Sequence, residues 1–176
     1  MPGFNIGGGG SNEPSNVVET RRKHRWLFQV ISPLPQNVLL FLQKASRPQF
    51  RYAEAVMHHD QEEVYFAGKQ TWEPITLSWY DAEQNPNVSE AIFKWVTTVT
   101  TSGLGAGGGQ IQVDVPSAYK REATLAMTDG SGNTTEEWSL KGCWPRETNW
   151  QDLDYTSSDI QMVEVVMRYD RATRTK

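Results

Sequence analysis

Hydrophobic residues recur along most of this chain with a period of two, which is typical of β-strands with one buried face. In residues 75–80, for example, Ile75, Leu77 and Trp79 alternate with small polar residues. Similar runs, rich in aromatic and β-branched residues, predict seven further strands. They occupy residues 24–32, 38–45, 63–69, 110–115, 120–127, 134–142 and 160–169.

One segment, residues 87–99, has the period of a helix instead. Its apolar residues recur at spacings of three and four, which places them on one helical face. They are Val88, Ile92, Trp95, Val96 and Val99. Asn87 is positioned to cap the helix, Glu90 matches the third position of a capping box, and Gly103 ends the segment. Seven or eight strands with one helix predict a mainly β fold, an antiparallel β-sandwich or barrel with one flanking α-helix and an extended N-terminal arm.

Composition divides the chain into a body and two flanks. Residues 1–20 are rich in Gly, Ser, Asn and Pro, so they lack the apolar face that packing requires. We therefore predict a flexible N-terminal arm (residues 1–22), a β domain (23–170) and a basic C-terminal tail (171–176).

Turn-forming residues set the expected connections within the body. Asp129-Gly130 between two strand patterns predicts a β-hairpin. Residues 46–62 are polar with scattered aromatics, which favours a long excursion or an extended hairpin. The strand at residues 134–142 is expected to end at Gly142, because Pro145 has no N–H to donate to a ladder. Trp144 is interpreted as a packing residue.

The charge distribution is uneven. The chain has a net charge of −4, but residues 26–167 contain 9 Lys and Arg against 18 Asp and Glu. An acidic body argues against wrapping nucleic acid, since phosphate binding needs cationic surface. The two basic ends are either solvated flanks or segments that reach acidic surfaces on neighbouring copies. They are Arg21, Arg22, Lys23 and Arg25 before the first strand, and Arg168, Arg171, Arg174 and Lys176 at the end.

Residue types that carry chemistry are sparse. A single cysteine, Cys143, excludes an internal disulfide, and the adjacent His58 and His59 would point to opposite faces of a strand. The Gly-rich segment 103–109 follows a helix and precedes a strand, the reverse of a phosphate-binding loop. No apolar run approaches the roughly 18 residues of a membrane span. We therefore expect no enzyme activity, no cofactor, no metal site and no membrane association.

Several short segments follow one another in a specific order between residues 26 and 170. They are Leu27-Phe28-Gln29-Val30, Lys44-Ala45-Ser46-Arg47-Pro48, Ala67-Gly68-Lys69, Phe93-Lys94-Trp95, Ala118-Tyr119-Lys120-Arg121 and Leu140-Lys141-Gly142-Cys143-Trp144-Pro145. In this order and spacing the chain resembles the tail tube protein of contractile-tailed bacteriophages. Related tubes occur in contractile injection systems and type VI secretion.

The resemblance implies a structural function. In that family six subunits close a ring, their strands join into a continuous inner β-barrel, and rings stack helically into a hollow tube through which DNA passes during ejection. The implied partners are further copies of the chain, the tail sheath protein, the baseplate hub and the tail terminator, with transient, non-specific passage of DNA. The implied location is the virion tail, with assembly in the host cytoplasm.

Two sets of residues follow as hypotheses from the charge pattern and the resemblance. Some of the acidic residues in or near strands are expected to face the lumen, and the candidates are Glu54, Glu63, Glu122, Glu136 and Glu137. Like charge on the wall would keep DNA from adhering to it. Residues of the arm, the excursion and the tail are expected to contact neighbouring rings: Arg21, Arg22, Lys23, Arg51, His58, His59, Asp60, Arg171 and Arg174.

Three alternatives remain open from the sequence. The first is the inner tube of a phage-tail-like bacterial injection system. The second is a monomeric carbohydrate-binding β-sandwich, for which only Trp72, Trp144 and Trp150 are expected to be exposed among the seven tryptophans. The third is a small β-rich hydrolase, for which the chain offers no recognisable site.

Overall fold

A computed structural model describes residues 21–30, 34–83, 87–102 and 112–176. The described part contains three helices: α1 (Gln36–Leu39), α2 (Val88–Thr97) and α3 (Pro116–Tyr119). It contains eleven strands: β1 (Trp26–Val30), β2 (Leu42–Ala45), β3 (Gln49–His59), β4 (Glu62–Glu73), β5 (Ile75–Tyr80), β6 (Thr100–Ser102), β7 (Gln112–Val113), β8 (Arg121–Thr128), β9 (Thr134–Asn149), β10 (Met162–Arg168) and β11 (Arg171–Arg174).

Seven of these strands form one antiparallel system in the order β1-β8-β9-β10-β5-β2, with β11 beside β9. The first half of β9 pairs with β8 and β11, and its second half pairs with β10. Among the described strands the path is open, with β1 and β2 at its ends, so the single chain does not close a barrel. The predicted mainly β, antiparallel fold class is confirmed.

One apolar core lies between the two halves of this sheet and helix α2. Ile75, Leu77 and Trp79 of β5 are fully buried, as their alternation predicts. Helix α2 contributes buried side chains to the same core, among them Ile92 and Trp95. The predicted cap is also present, because the side chain of Asn87 accepts a hydrogen bond from the backbone N–H of Glu90 at 2.6 Å.

Strand β9 passes from one half of the sheet to the other, and here the predicted strand end is wrong. The strand does not stop at Gly142 but continues to Asn149. Gly142 has a φ of +70°, and a Cβ there would collide with the carboxylate of Asp170, lying 2.7 Å from its Cγ. Lys120 holds that carboxylate from the other side at 2.7 and 2.8 Å. Pro145 is tolerated because it borders an irregularity in the pairing with β10.

Three other boundaries differ from the predictions. Residues 38–45 were expected to form one strand, but α1 takes the first part and leaves only four residues to β2. Most of the expected basic tail, Arg171–Arg174, is strand β11. The run at residues 63–69 belongs to a separate two-stranded sheet with β3, not to the body. The expected N-terminal arm up to residue 20 and the Gly-rich segment 103–109 lie outside the described residues.

Replacing Gly142 by Ala tests the bend, with Gly132→Ala as the matched control. Both glycines have positive φ, but a Cβ at Gly132 would meet no atom within 4 Å. We expect Gly132→Ala to cost about 1 kcal/mol of unfolding free energy, the strain of the backbone conformation alone. Gly142→Ala should cost about 3 kcal/mol, because Asp170 must also move. Urea unfolding at low protein concentration measures both; equal losses would show that Asp170 does not constrain the bend.

Candidate assembly surface

The β3–β4 hairpin extends from the body as a separate two-stranded sheet. Every residue of β3 and the first nine of β4 are exposed to solvent. At roughly 3.3 Å per residue, the 11 residues of β3 span about 35 Å. An isolated hairpin of this kind is marginally stable in water, so its length requires another explanation.

Local sequence explains the shape of the hairpin. The two strands are joined by Asp60 and Gln61, and Asp60 adopts the positive φ of 55° that tight hairpin turns require. The pairing shifts between Tyr52 and Glu54. Gly68 lies opposite this irregularity, where a Cβ would be only 2.8 Å from the carbonyl oxygen of Ala53. Gly68 therefore allows the two backbones to approach.

The base of the hairpin is fixed to the body by aromatic contacts. The ring of Phe50 lies 5.3 Å from that of Trp72, and Trp72 lies 5.9 Å from the buried ring of Tyr169 after β10. An ion pair of 3.0 Å between Arg51 and Glu73 ties the two strands together at the same level. These contacts orient the hairpin but leave its outer half uncovered.

Apolar cross-strand pairs lie on both faces of this outer half. Ala55 opposite Phe66, and Met57 opposite Val64, lie on one face; Val56 opposite Tyr65 lies on the other. Met57 and Phe66 are each 51% exposed, and Tyr65 is 61% exposed. An exposed apolar patch of this kind marks an interaction surface. Sequence reasoning missed these residues, although the apolar run from Val64 to Phe66 was a signal for them.

The polar tip carries several of the expected inter-ring residues. His58 and His59 lie on opposite faces of β3, as expected of neighbours on a strand. Nδ1 of His58 lies 3.3 Å from the carboxylate of Glu63, to which the hydroxyl of Tyr65 also donates a hydrogen bond of 2.8 Å. The fold thus brings together His58, His59 and Asp60 with the expected lumen-facing acid Glu63.

The other expected lumen-facing acids lie at separate places. Glu54 is exposed on the hairpin, on the same face as Glu63. Glu122 is exposed at the start of β8, and Glu137 of β9 points away from the core, the side opposite to buried Leu140. The structure therefore places these acids on two different surfaces, the hairpin and the outer face of the body.

The structure does not favour Glu136 as a lumen-facing acid, because its carboxylate is already engaged within the chain. The residue is 4% exposed, and its oxygens accept a hydrogen bond of 2.7 Å from the indole N–H of Trp138 and an ion pair from Arg21. Arg47 approaches to 3.7 Å. The hydrogen bond from Trp138, helped by Arg21 and Arg174, lowers the pKa of Glu136. Glu136, Trp138 and Leu140 are two residues apart along β9, so all three side chains lie on its inward face. This alternation was visible in the sequence.

Some residues of the two basic ends make contacts within the chain. Arg21 contacts Glu136, while Arg22 and Lys23 are exposed. Arg171 and Arg174 pair as strand residues with Lys141 and Trp138 of β9. The structure thus brings the two basic segments to the same half of β9 instead of leaving both as free flanks.

Comparison with known proteins identifies the family. The family model of the T4-like virus tail tube protein gp19 matches residues 42–173. This chain belongs to that family. Tail tube protein gp19 of Enterobacteria phage T4 is 26% identical over 147 residues, which cover 82% of this chain and 86% of the phage protein. Members of the gp19 family are structural components of the virion.

Solved structures share the fold. The tube terminating cap of the anti-feeding prophage matches with a TM-score of 0.68 and 16% identity, covering 93% of this chain and 95% of that one. A sheath-tube complex of an extracellular contractile injection system, named PVC, matches with a TM-score of 0.65 and 18% identity, covering 94% and 99%. The tail tube fold therefore extends over almost the whole chain.

The one cysteine of the chain packs inside this tail tube fold. Cys143 is fully buried, and burial raises the pKa of its thiol to about 12, which makes it a packing residue. Within the described ranges, no group of three or more His, Cys, Asp or Glu is placed to hold a metal ion. The described helices are all too short or too polar to cross a membrane.

The tryptophans also serve packing more than recognition. Trp79 and Trp95 are fully buried, as predicted. Trp144 lies 6.1 Å from the ring of Tyr119, which agrees with its interpretation as a packing residue. Trp150 is 39% exposed beside Phe93 of α2.

Proposed function

We propose that this chain is the building block of a phage tail tube, in which six copies close a ring and rings stack into a hollow tube for DNA. The observation that carries the proposal is the β3–β4 hairpin, whose outer half has apolar side chains on both faces and is left exposed by the described part of its own chain. A second copy supplies that cover. The function of the chain is then to assemble into the tube.

The open sheet path supports closure into a ring. Among the described strands, β1 and β2 end the path, each with a strand neighbour on one side only. Open edges of this kind invite uncontrolled pairing in a monomer. Pairing edges between neighbouring copies removes them, as in a closed barrel. A head-to-tail interface of this type gives a ring when its rotation closes. We propose a six-membered ring because of the family to which the chain belongs.

The acids outside the core support passage of DNA. Glu54, Glu63, Glu122 and Glu137 all point away from the apolar core. We assign Glu122 and Glu137, which share the outer face of the body, to the lumen wall. Glu54 and Glu63 are left out because they lie on the hairpin that a second copy covers, and Glu136 because its charge is compensated within the chain. A wall of like charge repels phosphate and lets DNA slide.

The partners proposed are the sheath, the tail terminator and the baseplate hub. Two structures with the same fold are a sheath-tube complex and a tube terminating cap, which supports the first two. The inner tube of a bacterial injection particle is the second candidate function, since the sheath-tube complex comes from an extracellular contractile injection system. Packaged DNA inside the natural particle would favour the phage tail; an empty or protein-filled lumen would favour the injection particle.

The first prediction of the tube proposal concerns the apolar hairpin. Phe66→Ser should raise the protein concentration needed for half-maximal tube formation at least tenfold, because burying a residue of this size contributes about 2 kcal/mol. The unfolding free energy of the single chain should change by less than about 0.5 kcal/mol, since Phe66 contacts solvent there. Sedimentation and negative-stain microscopy measure the tubes.

Gln61→Ser, in the exposed turn of the same hairpin, is the matched control and should assemble like the unmodified chain. If Phe66→Ser also assembles normally, the hairpin is not the surface that copies cover. If Phe66→Ser loses both its tubes and its fold, Phe66→Leu tests the same surface. That variant keeps the apolar surface and should assemble.

The second prediction concerns the lumen. Reversing two acids, Glu122→Lys with Glu137→Lys, should leave tubes intact but slow DNA ejection, because cationic side chains bind phosphate. The matched control is Glu83→Lys with Glu90→Lys, which reverses two exposed acids beside and within α2. Time-resolved ejection from purified particles measures the effect. Equal ejection rates for the two double variants would contradict the lumen assignment.

A further inference from the structure

Residues 46–48, which we call the hairpin entry, lead from β2 into β3 and contact both halves of the sheet. Ser46 binds one half, because it donates a backbone hydrogen bond of 3.0 Å to the carbonyl oxygen of Thr76 in β5. Its hydroxyl accepts a second bond, of 2.8 Å, from the N–H of the same threonine. Arg47 reaches the other half, where its guanidinium lies 3.7 Å from the carboxylate of Glu136 in β9. The hairpin entry thus joins the two halves at the point where the hairpin begins.

The carboxylate that Arg47 contacts is almost fully buried and has several partners. Oε1 of Glu136 accepts the hydrogen bond of Trp138 and lies next to Arg47, while Oε2 is held by Arg21. Arg174 of β11, which pairs with Trp138, is a third cation that acts on the same carboxylate. Cations from three separate segments therefore meet one carboxylate: the segment before β1, the hairpin entry and β11.

Stability alone does not account for a buried carboxylate at this position. Removing a carboxylate from water costs free energy, and an apolar side chain of similar size often packs at such a position without loss of stability. The cations here are themselves half-exposed, with 51% of the Arg21 side chain and 59% of the Arg47 side chain open to solvent. Exposure of this kind weakens an ion pair. What a buried charge does supply is a fixed point with a defined set of partners.

The hairpin is attached to the body at two points that lie on different strands. At the end of β4, the ring of Trp72 lies 5.9 Å from that of Tyr169, which follows β10. Just before the start of β3, Arg47 contacts Glu136 of β9. A single contact leaves a hairpin free to turn about it, whereas two contacts on different strands fix its direction. That direction decides where the exposed apolar outer half is presented.

We propose that Glu136 is a positioning residue for assembly, which through Arg47 fixes the direction in which the hairpin leaves the body. The inference rests on the proposed tube, in which a second copy covers the hairpin. A hairpin that points in the competent direction for only a fraction of the time weakens assembly by that fraction. Glu136 therefore acts on assembly from inside the body, through the hairpin entry.

Removing either charge should impair assembly more than folding. Glu136→Gln keeps an acceptor for Trp138, and Arg47→Met keeps an unbranched side chain without the cation. Each should raise the concentration for half-maximal tube formation about tenfold, as expected if the competent direction falls to roughly a tenth of the population. The melting temperature of the dilute chain should fall by no more than about 4 °C, because the arginine is half-exposed. The doubly changed chain should be no more impaired than either single variant, since both changes remove the same contact.

Two further variants serve as controls for this experiment. Arg47→Lys keeps the cation and should assemble to within about threefold of the unmodified chain, because the contact with Glu136 involves a single nitrogen. Arg146→Met is the matched control for the loss of an arginine. It removes an exposed ion pair of 3.3 Å with Glu147, outside the hairpin and its entry, and should assemble normally.

A distance measurement in the dilute chain tests the direction of the hairpin itself. Spin labels at Gln61→Cys in the hairpin turn and Glu90→Cys on α2 report the distance from hairpin to body, and the native cysteine is buried away from the label. The distribution of distances should be narrow in the otherwise unmodified chain. It should broaden with Glu136→Gln and with Arg47→Met. Phe66→Ser, which changes the covered surface and not the hairpin entry, should keep it narrow.

The outcomes separate the role of Glu136 from the tube itself. If the unmodified chain forms tubes and both Glu136→Gln and Arg47→Met assemble like Arg146→Met, the positioning role is wrong and the proposed tube stands. Assembly that falls only in step with the melting temperature, or distances that do not broaden, would show that Glu136 serves stability alone. If Glu136→Gln does not fold, Arg47→Met carries the same test from an exposed side chain. If the unmodified chain never forms tubes, the tube proposal is overturned, while the distances still show whether Glu136 fixes the hairpin.

Discussion

The fold depends on one strand that belongs to both halves of the sheet. Strand β9 leaves β8 and β11, bends at Gly142 and continues beside β10, so the two halves share a backbone. The bend exists because Gly142 has a φ of +70° and leaves space for Asp170, which Lys120 holds in place. Once this corner is set, Leu140 on one side and Val165 on the other face a common core.

The body and the hairpin are stabilised in different ways. The body buries its apolar residues within one chain, and its few buried polar groups include the compensated carboxylate of Glu136. The hairpin is fixed only at its base, by Phe50, Trp72 and Tyr169, and leaves Met57, Phe66 and Tyr65 in solvent. The chain therefore folds a complete core but leaves its apolar hairpin exposed. In this account the hairpin is covered only when copies assemble.

The elements that could be predicted from the sequence are those that neighbouring residues determine. The alternation in Ile75–Tyr80 and the cap at Asn87 depend on neighbouring residues, so both appear in the structure. The continuation of β9 past Gly142 was not predictable in this way, because the space that the bend needs is set by Asp170, far along the chain. The compensation of Glu136 likewise depends on Arg21, 115 residues away.

The assembly surface was predicted only in part, and for a physical reason. Residues 46–62 were expected to form an excursion or a hairpin, but their pairing with Phe66 and its neighbours depends on a return strand assigned to the body. Apolar residues at alternating positions of a strand indicate that one face is buried. The sequence does not show whether that face is buried by its own chain or by another copy.

The most direct test of this account is hydrogen exchange of the hairpin amides in the dilute chain and in assembled particles. If assembly completes the fold, amides of the outer halves of β3 and β4 exchange faster than those of β9 and β10 in the dilute chain, and slow at least about tenfold on assembly. Amides of β9 and β10 should change little. Hairpin amides that are as protected in the dilute chain as in the assembly would contradict the account.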